Sequence, residues 1–201
     1  MPLLVVFILL MVLTRYPFAG GALHFADASW AIFLLLGRSH GLQRKAVVLP
    51  SKSEAAGSVD PTDRFNKTMA SLVSLLMLGW CIDLIAVLGT ERAAYCFTPA
   101  YIGVFAAQSV LYACGYYFTQ PKHYQGLVAA TLLGWASAFL ITNITFYYWS
   151  GHFEMLAPIN YARAVSSYAV PYLLTLSVYV GVWSGLEQHL QAARLNWLIR
   201  L

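Results

Sequence analysis

Six apolar runs occupy most of this chain, at about 2–14, 17–36, 69–88, 98–118, 124–148 and 164–186. Four of them approach or exceed the roughly 20 residues that a helix needs to cross the hydrocarbon core of a bilayer. Little of the sequence is left for a charged surface. Only 10% of residues are charged and 60% are hydrophobic, with a mean hydropathy of +0.65, against about 25% charged in a soluble domain. The sequence therefore predicts an all-α integral membrane protein, a single transmembrane domain over 1–201 built as a six-helix bundle. The first run is short. It lacks the preceding Lys or Arg of a signal peptide, and it reads as a short or tilted span, with five spans plus an N-terminal segment as the alternative. In the second run, Pro17 and Gly20-Gly21 disfavour helix, so the regular part is expected from about Leu23.

Charge orients the bundle. Arg38, Arg44, Lys45, Lys52, Arg64 and Lys67 lie between the second and third runs and make up half of the 12 Lys+Arg. Cationic connections stay in the cytoplasm. With the N-terminus inside, the inner connections hold nine Lys+Arg and the outer ones three, so both termini are expected to be cytoplasmic. The Gly, Pro and Ser content between them reads as a flexible basic cytoplasmic loop over about 38–67. The net charge of +4 is then a topological signal, and no nucleic-acid partner is expected.

Few motifs carry chemistry. No H-E-x-x-H, G-x-S-x-G or phosphate loop occurs, so no enzyme and no cofactor are expected and the chain cannot by itself power transport with ATP. Cys81, Cys96 and Cys114 lack C-x-x-C spacing. Cys81 and Cys114 are expected as packing residues. His24 and His152 are scattered, and no metal site is expected from them. The sequons at Asn66 and Asn143 fall in an inner connection and in a span.

Two features inside the spans matter more. Asp83 is a carboxylate in an apolar run, which requires a partner within the bundle; a functional ionisable site and a packing hydrogen bond both fit. Asn143 is expected to hydrogen-bond between helices. Gly126, Ala130, Gly134 and Ala138 follow at four-residue steps and form a smooth ridge where another helix can approach. Internal packing and docking of a partner membrane protein are the two readings of that ridge.

The predicted outer connections are rich in rings, with a few polar groups. They run from Arg15 to Phe25, from Thr90 to Tyr101 and from Phe146 to Arg163. Interfacial belts have such composition, and so do binding pockets. Candidate ligand walls are Trp30, Tyr95, Tyr101, Tyr148, Trp149 and Tyr161. Asp27, Asn143 and Arg163 would supply polar contacts, with Asp27 expected to pair with Arg163 or Arg92.

The segments His24-Phe25-Ala26-Asp27-Ala28-Ser29-Trp30-Ala31, Tyr95-Cys96-Phe97-Thr98-Pro99-Ala100-Tyr101 and Thr142-Asn143-Ile144-Thr145-Phe146-Tyr147-Tyr148-Trp149-Ser150-Gly151 resemble a family of small bacterial inner-membrane proteins labelled cobalamin transporter component. That family looks like the S-components of energy-coupling-factor vitamin transporters. The resemblance implies six helices, a vitamin pocket open to the outer side and an energising membrane partner. The sequence departs from it in the long basic segment and in the lack of small residues from Leu3 to Leu13. The expected function is a membrane-embedded substrate-binding subunit for uptake of a vitamin-like nutrient, with cobalamin or a precursor as the ligand and the lipid bilayer and complex subunits as partners. The alternative is an accessory or assembly subunit of a larger membrane complex, with no ligand of its own.

Overall fold

The computed structural model describes residues 2–15, 28–48, 61–87, 98–119 and 124–199. These form α1 (Pro2–Arg15), α2 (Ser29–Val48), α3 (Pro61–Val87), α4 (Tyr101–Phe118), α5 (Tyr124–Trp149) and α6 (Pro158–Ile199). No strand occurs among the described residues, and the all-α expectation holds. Pro61 and Pro158 open α3 and α6, where the missing N–H would have had no helical partner anyway. Asp63 sits in the first turn of α3, next to the positive end of the helix dipole. Gly151 follows α5 with φ 75°, a left-handed conformation that turns the chain toward α6 at little steric cost.

The helices alternate in direction. The Ala28 N–H donates to Thr14 Oγ1 at 3.2 Å, which puts the end of α1 beside the start of α2. The Tyr101 hydroxyl donates to Asp83, joining the end of α3 to the start of α4. Tyr161 near the start of α6 donates to the Asn143 carbonyl on α5 at 3.2 Å. One end of the bundle, the Asp83 end, thus gathers the close of α1, α3 and α5 and the start of α2, α4 and α6. Arg38 and Glu187 lie toward the opposite end.

Helix α2 is the centre. Ala28, Ser29 and every residue from Ala31 to Leu36 are buried, the pattern of a helix covered on all sides. Its tightest neighbour is α4, which runs parallel to it. A Cβ on Gly37 would overlap the Tyr112 carbonyl, one on Gly41 the Tyr116 carbonyl, and one on Gly115 the Leu34 carbonyl. Small residues let the two backbones touch.

The exterior is apolar. Val5, Leu9 and Leu13 on α1, Val128 and Leu140 on α5, and Val170, Leu174, Val178 and Val182 on α6 are all exposed. Such a continuous surface is foreign to a monomer in water. Among the described residues three helical segments are long and apolar enough to cross a membrane: Asn66–Ile85, Tyr124–Trp149 and Pro158–His189.

The structure corrects the extent of the basic loop. Residues 38–48 continue α2 and residues 61–67 are the first two turns of α3, while 49–60 lie outside the described residues. Glycines at 37 and 41 read as helix breakers in isolation, but here they gain backbone contact with α4, and that packing outweighs their propensity. The cysteines also divide: Cys114 is buried as expected, whereas Cys81 is exposed.

Candidate functional site

Two neighbouring rows on α5 face different parts of the bundle. The ridge of Gly126, Ala130, Gly134 and Ala138 faces inward: Ala130 and Ala138 are fully buried, and Gly134 packs beside Leu111, Leu34 and Cys114. From Ala130 to Ala138 that ridge packs within the bundle, against α4 and α2. The adjacent row, Trp135, Phe139, Asn143 and Tyr147, turns toward α6. Trp135 Nε1–H donates to the Ala169 carbonyl at 3.0 Å. Phe139 meets the Tyr172 ring edge-on at 6.4 Å between centroids. The Tyr147 and Tyr161 rings lie 5.0 Å apart.

Trp30 of α2 closes this layer, with its ring 5.0 Å from Tyr172. Three helices thereby bring Trp30, Trp135, Phe139 and Tyr172 together. Asn143 lies one turn nearer the Asp83 end. Its Nδ2 donates to its own helix at Phe139 O, 2.7 Å away, which leaves Oδ1 to face the Tyr161 hydroxyl at 3.4 Å. The expected interhelical bond of Asn143 is thus made through Tyr161. Beyond it a ring cap follows: Phe153 stands 4.8 Å from Tyr161 and 5.7 Å from Phe146, and the Tyr147 hydroxyl donates to Leu156 O at 2.8 Å.

The predicted residues divide by helical phase. Trp30 meets Tyr172 of α6, and Asn143 and Tyr161 meet between α5 and α6. Tyr101 belongs to a second focus at the same end, where it binds Asp83. Tyr148 and Trp149 are 69% and 54% exposed, and Arg163 is exposed too, so these three stand on the outside of the bundle. Asp27, Tyr95, His24 and Arg92 lie outside the described residues, as does the expected pairing of Asp27. Tyr147, Trp135, Phe139, Phe153 and Tyr172 were not among the candidates, although the four-residue spacing of 135, 139, 143 and 147 marks them as one face.

The chemistry here is recognition. Flat apolar walls with an amide and a phenol suit a small ligand with a planar or apolar body and a few polar edges. Among the described residues no group of three His, Cys, Asp or Glu could hold a metal; His152 is exposed, with Phe146 and Phe153 as ring neighbours.

The opposite end is held by polar ties. Arg38 pairs with Glu187 across α2 and α6. His40 Nδ1 meets the Tyr112 hydroxyl at 3.0 Å, and Arg44 lies over the Tyr116 ring at 5.7 Å. His40 stands beyond the apolar stretch of α2, and burial lowers its pKa from 6.5.

No protein-family model matches this chain, and no curated protein matches it.

Proposed function

We propose that this chain is a membrane-embedded substrate-binding subunit for uptake of a small vitamin-like nutrient. In this reading it crosses the bacterial inner membrane six times, with both termini in the cytoplasm, and receives its ligand at the Asp83 end. The supporting observation is the contact of Trp30 and Phe139 with the half-exposed Tyr172, beside Trp135 and one turn of α5 from the Asn143–Tyr161 pair. Cobalamin or a precursor is the ligand suggested by the resemblance of 24–31, 95–101 and 142–151. Energy for uptake comes from a separate membrane subunit.

The test is titration of the purified protein with cobalamin and its precursors, with native mass spectrometry of gently extracted protein to reveal a retained small molecule. Trp30→Ala should weaken binding at least tenfold, whereas Trp149→Ala with Arg163→Ala, on the outside of the bundle, should leave it unchanged. Unchanged affinity in Trp30→Ala removes this layer as the site. Reporter fusions at residue 55 address sidedness: a periplasmic signal there turns the layer toward the cytosol and ends the uptake reading.

A second reading, an accessory subunit without a ligand, is favoured by one feature. The rings of Phe146, Tyr147, Phe153 and Tyr161 pack on one another and form a cap in their own right. Stoichiometric recovery of other membrane subunits with no bound small molecule selects it.

A further inference from the structure

We infer that the last turns of α6 form a hinged arm, with the hinge at Pro171 and a latch at Glu187 that closes the Arg38 end of the bundle. The inference rests on the uptake reading only for its purpose, release of nutrient on the far side of the membrane. Its mechanics stand on four observations.

First, α6 continues through Pro171. Proline supplies no N–H to the carbonyl four residues earlier, that of Ser167, and its ring crowds that turn. Prolines in helices are the usual places for bends. Second, α6 is tied down on the Asp83 side of the proline: Tyr161 donates to Asn143, and Trp135 donates to Ala169. Tyr172, the residue after the proline, holds its ring 5.0 Å from that of Trp30 in a tilted contact.

Third, the arm beyond the proline buries a narrow, mostly apolar row. Leu176, Val180 and Ser184 are buried at four-residue steps. Trp183 touches Phe7 of α1 with ring centroids 5.2 Å apart. Around Gly181 and Gly185 nothing lies within 4 Å of a Cβ position. Apolar contact is non-directional and permits displacement. Fourth, the arm ends on directional ties. Glu187 pairs with Arg38, and the Gln188 amide donates to the Tyr124 hydroxyl of α5. The side chains of Arg38 and Glu187 are only 17% and 31% exposed, enough burial that losing one partner leaves the other charge poorly solvated.

The fixed half of the latch is α2. A Cβ on Gly115 would meet the Arg38 backbone nitrogen, so α4 holds that turn from behind. The moving half is α6, whose arm from Pro171 to Glu187 spans about 24 Å at helical rise. A small bend at its root therefore displaces Glu187 by several times the shift at the hinge.

The experiment measures the distance between spin labels at Gln43 on α2 and His189 on α6, both exposed, with Cys81, Cys96 and Cys114 replaced by alanine. The parent protein should give one short distance. Glu187→Gln should add a longer population. Reversing the pair, Arg38→Glu with Glu187→Arg, should restore the single distance. Adding Pro171→Ala to Glu187→Gln should remove the longer population. A distribution unchanged by Glu187→Gln overturns the latch, as does a reversed pair that stays open. A long population that survives Pro171→Ala overturns the hinge. Cobalamin titration on the same samples separates the two ideas: absent binding with the expected distances counts against uptake alone.

Discussion

Gly37 of α2 lies directly against the Tyr112 carbonyl of α4, with no room for a Cβ between them. One turn on, Gly41 repeats the arrangement at Tyr116. These two glycines bring the central helix and its neighbour into backbone contact, and they make the most position-sensitive spot in the bundle. Gly37→Ala should lower stability by about 1–3 kcal/mol, the usual cost of overpacking a filled interior. Gly181→Ala, where nothing lies within 4 Å, should be neutral or slightly stabilising. Thermal unfolding of the two variants in the same detergent compares them; equal midpoints would contradict the close approach.

The Tyr101–Asp83 hydrogen bond ties α3 to α4. Tyr101→Phe and Asp83→Ala should each destabilise, and the double variant should lose less than their sum. A coupling of roughly 0.6–1.7 kcal/mol is the range for such bonds between membrane helices. Strict additivity in the cycle would show that the bond contributes nothing to stability.

Tyr161 has two separable roles. Tyr161→Phe removes the donor to the Asn143 carbonyl and should cost about 1 kcal/mol. Tyr161→Ala also removes the ring that meets Tyr147 and Phe153 and should cost about 3–5 kcal/mol. Unfolding midpoints in that order are the expected result, with ligand binding weakened in both variants.

His40 makes stability depend on pH. Burial disfavours its charged form, so its pKa in the folded state lies below 6.5. Below about pH 6.5 the unfolded chain binds a proton that the folded chain resists, so stability falls as the medium is acidified through that value and is level above it. Protonation also removes the Nδ1 lone pair that can accept from the Tyr112 hydroxyl. His40→Gln should flatten the acid limb; melting curves taken between about pH 5 and pH 8 detect this, and an unaltered slope would assign it elsewhere.

Much of the architecture was legible because hydrophobic runs report burial in either lipid or protein. The runs located each of the six described helices, and Asp83, expected to need a partner, accepts from Tyr101. Helix ends were less legible where tertiary contact supplies what local propensity lacks. Arg38 to Val48 looks like a loop by charge and glycine content, yet Gly37, Gly41 and the Arg38–Glu187 pair keep it helical against α4 and α6. For Pro61 and Asp63 the signal was present, since proline and an acid in the opening turn mark a helix start; the surrounding Gly, Pro and Ser content obscured it.

The candidate site was half legible for a similar reason. Composition identified the aromatic stretch 146–149 but not its phase, and phase decides which ring faces inward. Tyr147 reaches Tyr161 while Tyr148 and Trp149 face out. The same count would have grouped Trp135 and Phe139 with Asn143. The ridge at 126–138 was visible from small residues alone; what filled it, Leu111 and Leu34, depends on how three helices assemble.

The two rows of α5 impose a further constraint. Because the glycine–alanine row and the ring row stand one residue apart, a single inserted residue between Gly134 and Asn143 would rotate everything beyond it by about 100°. Rings would then swing away from α6 toward the exposed positions 140, 144 and 148, and the smaller residues that precede them would take their places and leave a gap beside α6. This helix can exchange side chains one at a time, but its residue count between those points is fixed.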